Sequence, residues 1–352
     1  MVSSPSHGFP LLALLLALLA LGACTAVVSP APAASDTALL PPRSEAPASL
    51  QVAFTEAHGG NAILWVAEAA GVFRQHRLDV ALERRSMAAA LRALANGELA
   101  VVVGSGAAAL VAAATGTEVR LVAGLVNQSP YRFMVDPSIE GAADLRGARL
   151  GSSAPGSTTD LATRFVLREL RLEPGKDVTL LQIGSAAERL AALANGAVQG
   201  AVVAPPDTAA LERLGFLTLL DLAALGVDDP HYQVIVSASL IAEQPAVVQR
   251  FVYALIEATA LAKRDRGLTK QVLREHLPSA DEPALDETYE LFVQRLAPQV
   301  PYPAATGMQR ILPLLVEIEP RVSAVDLALL LDPSFVQRAV DTGLVARLYR
   351  GR

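Results

Sequence analysis

The chain predicts an α/β fold of two similar lobes, on three observations. Short apolar strand patterns alternate with helices that carry one apolar face, a helix/Asn-Gly/strand unit occurs twice, and a hydrophobic fraction of 52% in 36.8 kDa supplies core for about two domains.

Ahead of that pattern, Phe9 to Ala23 is an uncharged Leu/Ala-rich stretch ending in Leu21-Gly22-Ala23-Cys24. Apolar residues followed by small ones have the layout of an export signal with its cleavage site. The run is short for a membrane span, which needs about 20 apolar residues. Leu-Gly-Ala-Cys resembles the lipobox of bacterial lipoproteins, which implies a signal peptide over 1–23 and a mature chain that begins at lipidated Cys24. The usual positive segment is missing, since Met1 to Pro10 holds no Lys or Arg, only His7. An ordinary buried or disulfide-capable cysteine, or an uncleaved short anchor, is the alternative. Residues 24–49, rich in Pro, Ala and Ser without apolar periodicity, read as a disordered tether.

Cys24 is the only cysteine, so no disulfide, Cys-based metal cluster or catalytic thiol is expected within the fold. A net charge of −6 and a pI near 5.5, without a Lys/Arg cluster, argue against a nucleic-acid partner.

The folded body opens with a strand, Leu50 to Phe54, then the polar loop Thr55 to Asn61. A helix over Ala62 to Phe73 and a strand over Leu78 to Leu82 follow. Next come a helix (Met87 to Ala95), Asn96-Gly97, a strand (Leu99 to Val103), Gly104-Ser105-Gly106, a helix (Ala107 to Thr115) and a strand (Val119 to Leu125). This alternation describes a mostly parallel sheet covered on both faces. LRALANGELAVVV (91–103) is then echoed by LAALANGAVQGAV (190–202), each placing an Asn-Gly stop between a helix and a buried strand. Two like lobes are the simplest reading of the echo.

AILWVAEAAGVFRQHRLDVAL (62–82) resembles the opening of the substrate-binding proteins of nitrate, sulfonate, taurine and thiamine-pyrimidine ABC importers. The resemblance continues through ALANGELAVVVG, DLRGARLGSSAPGSTTDLATRFVLRELRLEPGKDVTLLQIG and RLAALANGAVQGAVVAPP, and covers roughly 50–300. It implies a type II periplasmic binding protein, with two α/β lobes, a ligand cleft and two crossing strands. Mapped on this chain, lobe one takes 50–134 and 235–352, lobe two takes 135–234, and the crossings fall near Phe133–Asp136 and Tyr232–Val236. Helices over Pro245–Arg264 and Glu287–Leu296 are expected to pack on lobe one. Ala100 and Gln199 stand where the family commonly has Asp, so any role of those carboxylates is absent. The Cys-rich run of pyrimidine synthases with this fold is missing as well.

In open α/β sheets, ligands bind beyond the carboxyl ends of strands. Four loops qualify, each also readable as a plain turn or helix cap. Thr55, Glu56, His58 and Asn61 lie in the first, where Gly59-Gly60 would let backbone approach a ligand. Gly104 and Ser105 leave amides at a helix start, and Gln128 and Ser129 supply an amide and a hydroxyl. The fourth loop, with Ser153, Gly156, Ser157 and Thr158, opens a helix over Asp160–Leu170. Pro205 is expected as a wall across the cleft, Arg132 as a counter-charge for an acidic ligand or an inter-lobe salt bridge, and Trp65 in the core. Asp228-Asp229 beside Pro230 reads as turn chemistry.

No nucleophile elbow, Walker A motif or metal-spaced histidine set appears, so no catalytic residue, metal or cofactor is expected. The function expected is the extracytoplasmic, lipid-anchored and monomeric solute-binding component of an ABC importer. It would close on a small organic solute, a pyrimidine, sulfonate or related compound, and deliver it to a membrane permease. Without a dominant cation among these candidates, a neutral or zwitterionic heterocycle fits slightly better than an inorganic anion. The alternatives are a sensor, or an enzyme of the same two-lobe fold such as the menaquinone-pathway lyases.

Overall fold

Val101–Gly104 and Gly200–Val203 are buried at every residue, which is why both are unbroken runs of small and apolar side chains. Each is the middle strand of a five-stranded sheet in the computed structural model, which describes residues 47–277 and 280–350. The expected signal peptide, Cys24 and nearly all of the tether lie outside the described residues. The last tether residues do not: Ala48 and Ser49 already belong to the first strand, where they pair with Leu78 and Asp79.

The first sheet contains β1 (Ala48–Phe54), β2 (Leu78–Arg84), β3 (Val101–Gly104), β4 (Val119–Gln128) and, from much later in the chain, β10 (Asp228–Ser237). The second contains β5 (Arg132–Val135), β6 (Arg149–Ser152), β7 (Thr179–Gln182), β8 (Gly200–Val203) and β9 (Leu217–Asp221). Their orders, β2-β1-β3-β10-β4 and β7-β6-β8-β5-β9, are the same arrangement twice. In each, three parallel strands are followed by one antiparallel strand, β10 or β5, contributed from beyond a chain crossing. The fold is thus the expected two-lobed α/β type, with mixed rather than wholly parallel sheets.

Chain crossings fall earlier than expected. The chain leaves β4 at Gln128 and enters β5 at Arg132, then leaves β9 at Asp221 and rejoins the first sheet at Asp228. Phe133–Val135 and Tyr232–Val236 are buried strand centres, because such apolar runs gain more inside a sheet than in an exposed connection. Asp228 and Asp229 are likewise the start of β10 and not a turn.

Between the strands run α1 (Ala62–Ala69), α2 (Val72–Gln75), α3 (Met87–Ala95), α4 (Gly106–Ala114), α5 (Thr158–Glu169), α6 (Ala186–Ala194) and α7 (Asp207–Arg213). The helix expected over 62–73 is therefore two, parted at Gly71. Both copies of the Asn-Gly stop work alike. Gly97 (φ 75°) and Gly196 (φ 74°) take the left-handed turn after α3 and α6, so the glycine rather than the asparagine provides it.

After β10 the chain is helical: α8 (Ala238–Glu243), α9 (Pro245–Arg264), α10 (Arg266–His276), α11 (Glu282–Thr288), a π-helix (Tyr289–Leu296) and α12 (Ala305–Val316), with shorter helices beyond. The helix expected over 287–296 thus combines the end of α11 with the π-helix. Val101 and Val103 join one apolar cluster and Val102 another, so the first sheet is covered on both faces. Trp65 is fully buried as expected, edge-on to Phe54 (5.8 Å) and stacked on His276 (4.2 Å). Among the described residues, no helix is long and apolar enough to cross a membrane.

Candidate functional site

Serines begin the helices that follow β2, β3 and β6, and each caps its own helix. Ser86 Oγ accepts the Ala89 N–H (3.4 Å), Ser105 Oγ that of Ala108 (3.3 Å), and Ser157 Oγ that of Asp160 (3.3 Å). The first turn of each helix keeps further N–H groups with no intrahelical acceptor, which gives that end partial positive charge. Ser86, Ser105 and Ser157 all line one cavity of about 280 Å³, into which strand ends of both sheets open.

Its other lining residues are Thr55, Glu56, His58, Met87, Ala108, Tyr131, Ser153, Thr158, Thr159, Arg189, His231 and Tyr232. Thr55, Glu56, His58, Ser105, Ser153, Ser157 and Thr158 were expected from the sequence, and the structure brings them together. Ser153 Oγ bonds Ser157 Oγ (3.0 Å) and Thr159 Oγ1, a chain of hydroxyls at the start of α5.

The remaining expected contacts have other work. Asn61 is fully buried, and its Nδ2 donates to the Glu56 carbonyl (2.6 Å), so it braces the first loop from behind. Gly59 and Gly60 approach aromatic rings and not a ligand: a Cβ on Gly60 would lie 2.7 Å from the Tyr232 ring, and one on Gly59 2.4 Å from that of Phe292. Gly104 ends β3 where a Cβ would meet Met87 Sδ at 2.8 Å, and Gly156 donates its N–H to Asp160 Oδ2 (2.9 Å). Gln128 closes β4, and the Ser129 N–H pairs with the Val227 carbonyl (2.8 Å), because these residues begin the chain crossing. Pro205, in the turn between β8 and α7, is not part of the lining.

Arg132 is no counter-charge for a ligand either. Its guanidinium meets Asp221 (3.2 Å), Glu212 (3.3 Å) and Glu287, whose second carboxylate oxygen accepts from Thr208 Oγ1 (2.9 Å). These contacts tie β5, α7 and β9 to α11, which fits the salt-bridge alternative.

A dominant cation is nevertheless present, where the sequence reading expected none. Arg189 on α6 is 4% exposed, and its Nη1 donates to the Gly184 carbonyl (3.0 Å). Its Nε has no hydrogen-bond partner, and among the described residues no carboxylate lies within ion-pair distance of the guanidinium. The sequence carried a signal for it. Arg189 falls three and four residues before Ala192 and Leu193, in phase with the buried face of α6, where a charge is out of place without a use.

The aromatic side of the cavity was not expected from the sequence either, since it comes from Tyr131 in the first crossing and from His231 and Tyr232 within β10. Tyr131 Oη bonds Thr158 Oγ1 (3.2 Å), and burial pushes its phenol pKa up, so it stays protonated. Burial, with Glu56 nearby, does the same to Tyr232. His231 is 2% exposed, 5.3 Å from the Tyr131 ring and 5.0 Å from that of Tyr232. Asp229 Oδ2 approaches its Nδ1 to 3.3 Å without hydrogen-bond geometry, and its Nε2 has no partner. His58 stacks on Tyr232 (5.8 Å) and lies edge-on to Phe292 (4.7 Å). Burial first, then His231 and Arg189, lower its pKa to about 3. Its Nδ1 accepts the Gly60 N–H (3.3 Å), which leaves the proton of the neutral ring on Nε2. Among the described residues, no cluster of three or more His, Cys, Asp or Glu is arranged to hold a metal.

The family model for the NMT1-like family matches residues 43–274. No curated protein matches the chain. Among solved structures, the alkanesulfonate-binding protein SsuA from Xanthomonas axonopodis pv. citri, bound to MOPS, is similar at 21% identity and TM-score 0.63, over 84% of this chain and 99% of that one. The periplasmic aliphatic sulphonate-binding protein SsuA from Escherichia coli is similar at 19% identity and TM-score 0.68, over 82% and 92%. The desulfurization enzyme DSZB is similar at 20% identity and TM-score 0.63, over 84% and 99%. These likenesses support the expected fold; binding proteins and an enzyme share it.

Proposed function

The chain belongs to the NMT1-like family, and from that premise we propose that it is the extracytoplasmic solute-binding component of an ABC importer. It captures a small organic solute by closure of its two lobes and delivers it to a membrane permease. One observation carries this reading: a cavity with hydroxyl, imidazole and guanidinium groups in its lining, bounded by strand ends and helix N-termini of both sheets, with the lobes tied together beside it through Arg132, Thr208 and Glu287. A solute touching both walls stabilises the shut state by its differential contacts. The sulfonate-binding proteins among the structural relatives support the same role.

The likeness to DSZB raises the enzyme alternative, and the cavity weighs against it. Among the described residues no cysteine lines it, and the hydroxyls of Ser153, Ser157 and Thr159 bond to one another and not to His58 or His231, so none of the three is paired with a base. The anchor is proposed at Cys24 after removal of 1–23, and the domain division, expected as 50–134 with 235–352 against 135–234, is moved by the earlier crossings to 48–128 with 228–350 against 132–221.

A thermal-shift screen of the full chain in mild detergent, against alkanesulfonates, thiamine-type pyrimidines, nitrate and amino acids, tests the role. A solute at 100 times its dissociation constant adds about 2.7 kcal/mol of stability. Failure of every compound to shift the melt, or turnover of one of them, would remove the receptor reading. Mass spectrometry of the N-terminal peptide tests acylation of Cys24, and an unmodified thiol on an intact leader refutes it.

A further inference from the structure

We propose that the solute is a small organic anion with a single planar ring, anchored by Arg189 at its charged end and flanked by Tyr131, His231 and Tyr232 at its ring. The proposal rests on the receptor reading above and deepens it.

The anionic end follows from charge. A guanidinium stays protonated at any working pH, and burying one without a counter-ion is costly. Arg189 is buried, has no carboxylate at ion-pair distance among the described residues, and lines the cavity. The same cavity is lined by the Thr158 and Thr159 hydroxyls and by the Tyr131 phenol bonded to Thr158, at the N-terminal turn of the 12-residue α5. The nearby carboxylates are not paired with it. Glu56 is solvent-exposed at the cavity edge; exposed Glu188, bonded to Ser185, and Asp207, whose pKa burial raises and Arg189 lowers, lie outside the lining; and buried Asp229 faces His231. An anion entering here supplies the charge the fold itself leaves out.

Ring character follows from the opposite wall and from size. His231 presents a buried ring whose Nε2 has no partner, framed edge-to-face by Tyr131 and Tyr232. Such a wall suits the face or edge of another ring and offers one polar contact to it. An apolar cavity of about 150 Å³ takes one benzene ring. At about 280 Å³ this cavity holds one ring with its charged group, and is too large to be filled by a small inorganic anion.

The test is isothermal titration of the full chain in mild detergent with benzoate, benzenesulfonate, benzamide, cyclohexanecarboxylate and nitrate. The expected result is that benzoate or benzenesulfonate binds roughly 30-fold tighter than benzamide, which lacks the charge. The same arene anion should bind more tightly than cyclohexanecarboxylate, which lacks the planar ring, and than nitrate. Arg189→Met should bring the arene anion to the level of benzamide while benzamide itself moves by less than about threefold, a pattern a merely structural role would not give. Arg189→Lys, which keeps the charge but not the fork, should fall between. If Arg189→Met fails to fold by circular dichroism, the wild-type contrast and Arg189→Lys decide. Equal binding of benzoate and benzamide, unchanged selectivity in the variants, or no binding of either arene anion overturns the proposal. Binding of an alkanesulfonate, pyrimidine or amino acid when both arenes fail would overturn it and leave the receptor role standing; silence from every compound removes both.

Discussion

In the first sheet, α3 begins at Ser86, stops at Gly97 and feeds β3; in the second, α6 begins at Ser185, stops at Gly196 and feeds β8. Both helices bury the same three phases, Ala90, Ala93 and Leu94 in α3 and Arg189, Ala192 and Leu193 in α6. One position differs in kind. Where the first copy has an alanine that does nothing but pack, the second has an arginine that the scaffold holds without a counter-ion. The repeated residues build the frame, and the residue that breaks the repeat marks where the frame is used.

The largest test of that contrast is Ala90→Arg. Ala90 is fully buried in an apolar cluster, so a guanidinium forced in at the matched position meets packed side chains and should cost at least about 4 kcal/mol, read as a collapse of the thermal melt. A near-normal melt would mean that the two helices are not equivalent.

A second test sets the histidine wall of the first lobe against the hydroxyl wall of the second. With the folded pKa of His58 at about 3 and an unfolded value near 6.5, the unfolded chain takes the proton first as pH falls. Stability from this group is therefore complete above pH 6.5 and lost toward pH 3. Between pH 6.5 and 5 the loss is up to about 2 kcal/mol, and His58→Gln should flatten it in denaturant melts. An equal slope in wild type and variant would assign the pH dependence elsewhere.

Helix caps give a smaller difference. Ser185 forms a reciprocal capping box with Glu188, whereas Ser86 makes a single 3.4 Å contact. Ser185→Ala should cost about 1 kcal/mol in urea unfolding and Ser86→Ala less. The smallest effect on stability belongs to Arg189→Ala, expected within about 0.5 kcal/mol, because relief of an unpaired buried charge offsets the lost contact to Gly184. A strongly destabilised Arg189→Ala would make this arginine a structural residue.

The alternation of strands and helices, the Asn-Gly repeat and the serine caps were legible in the sequence because they depend on local chemistry: apolar period, left-handed glycine, hydroxyl against free amide; the break at Gly71 and the limits of the crossings were not. The hydroxyl half of the cavity, Ser105, Ser153, Ser157 and Thr158, followed from those caps. Tyr131, His231 and Tyr232 did not, since they reach the cavity only through the register of β10 and β5 in sheets assembled across long stretches of chain. Arg189 was hidden differently. It shows in the sequence only as a charge in the buried phase of α6, at the position where the first copy has Ala90. Asn61, Gly104 and Gly156 looked like contacts because small and amide residues serve tight packing and ligand approach equally well, and only the neighbours decide.

The place of β10 carries a consequence for biosynthesis. It lies between β3 and β4, yet it is translated after every strand of the second sheet. As the chain emerges N-terminus first, from the ribosome or across the membrane, β1 to β4 appear with an open slot, their facing edges unpaired and exposed to mispairing, while 132–221 holds all five strands of its own sheet before β10 arrives. The later-made half can therefore close first, and the earlier half waits for a single late strand. Chaperone demand should peak in that interval.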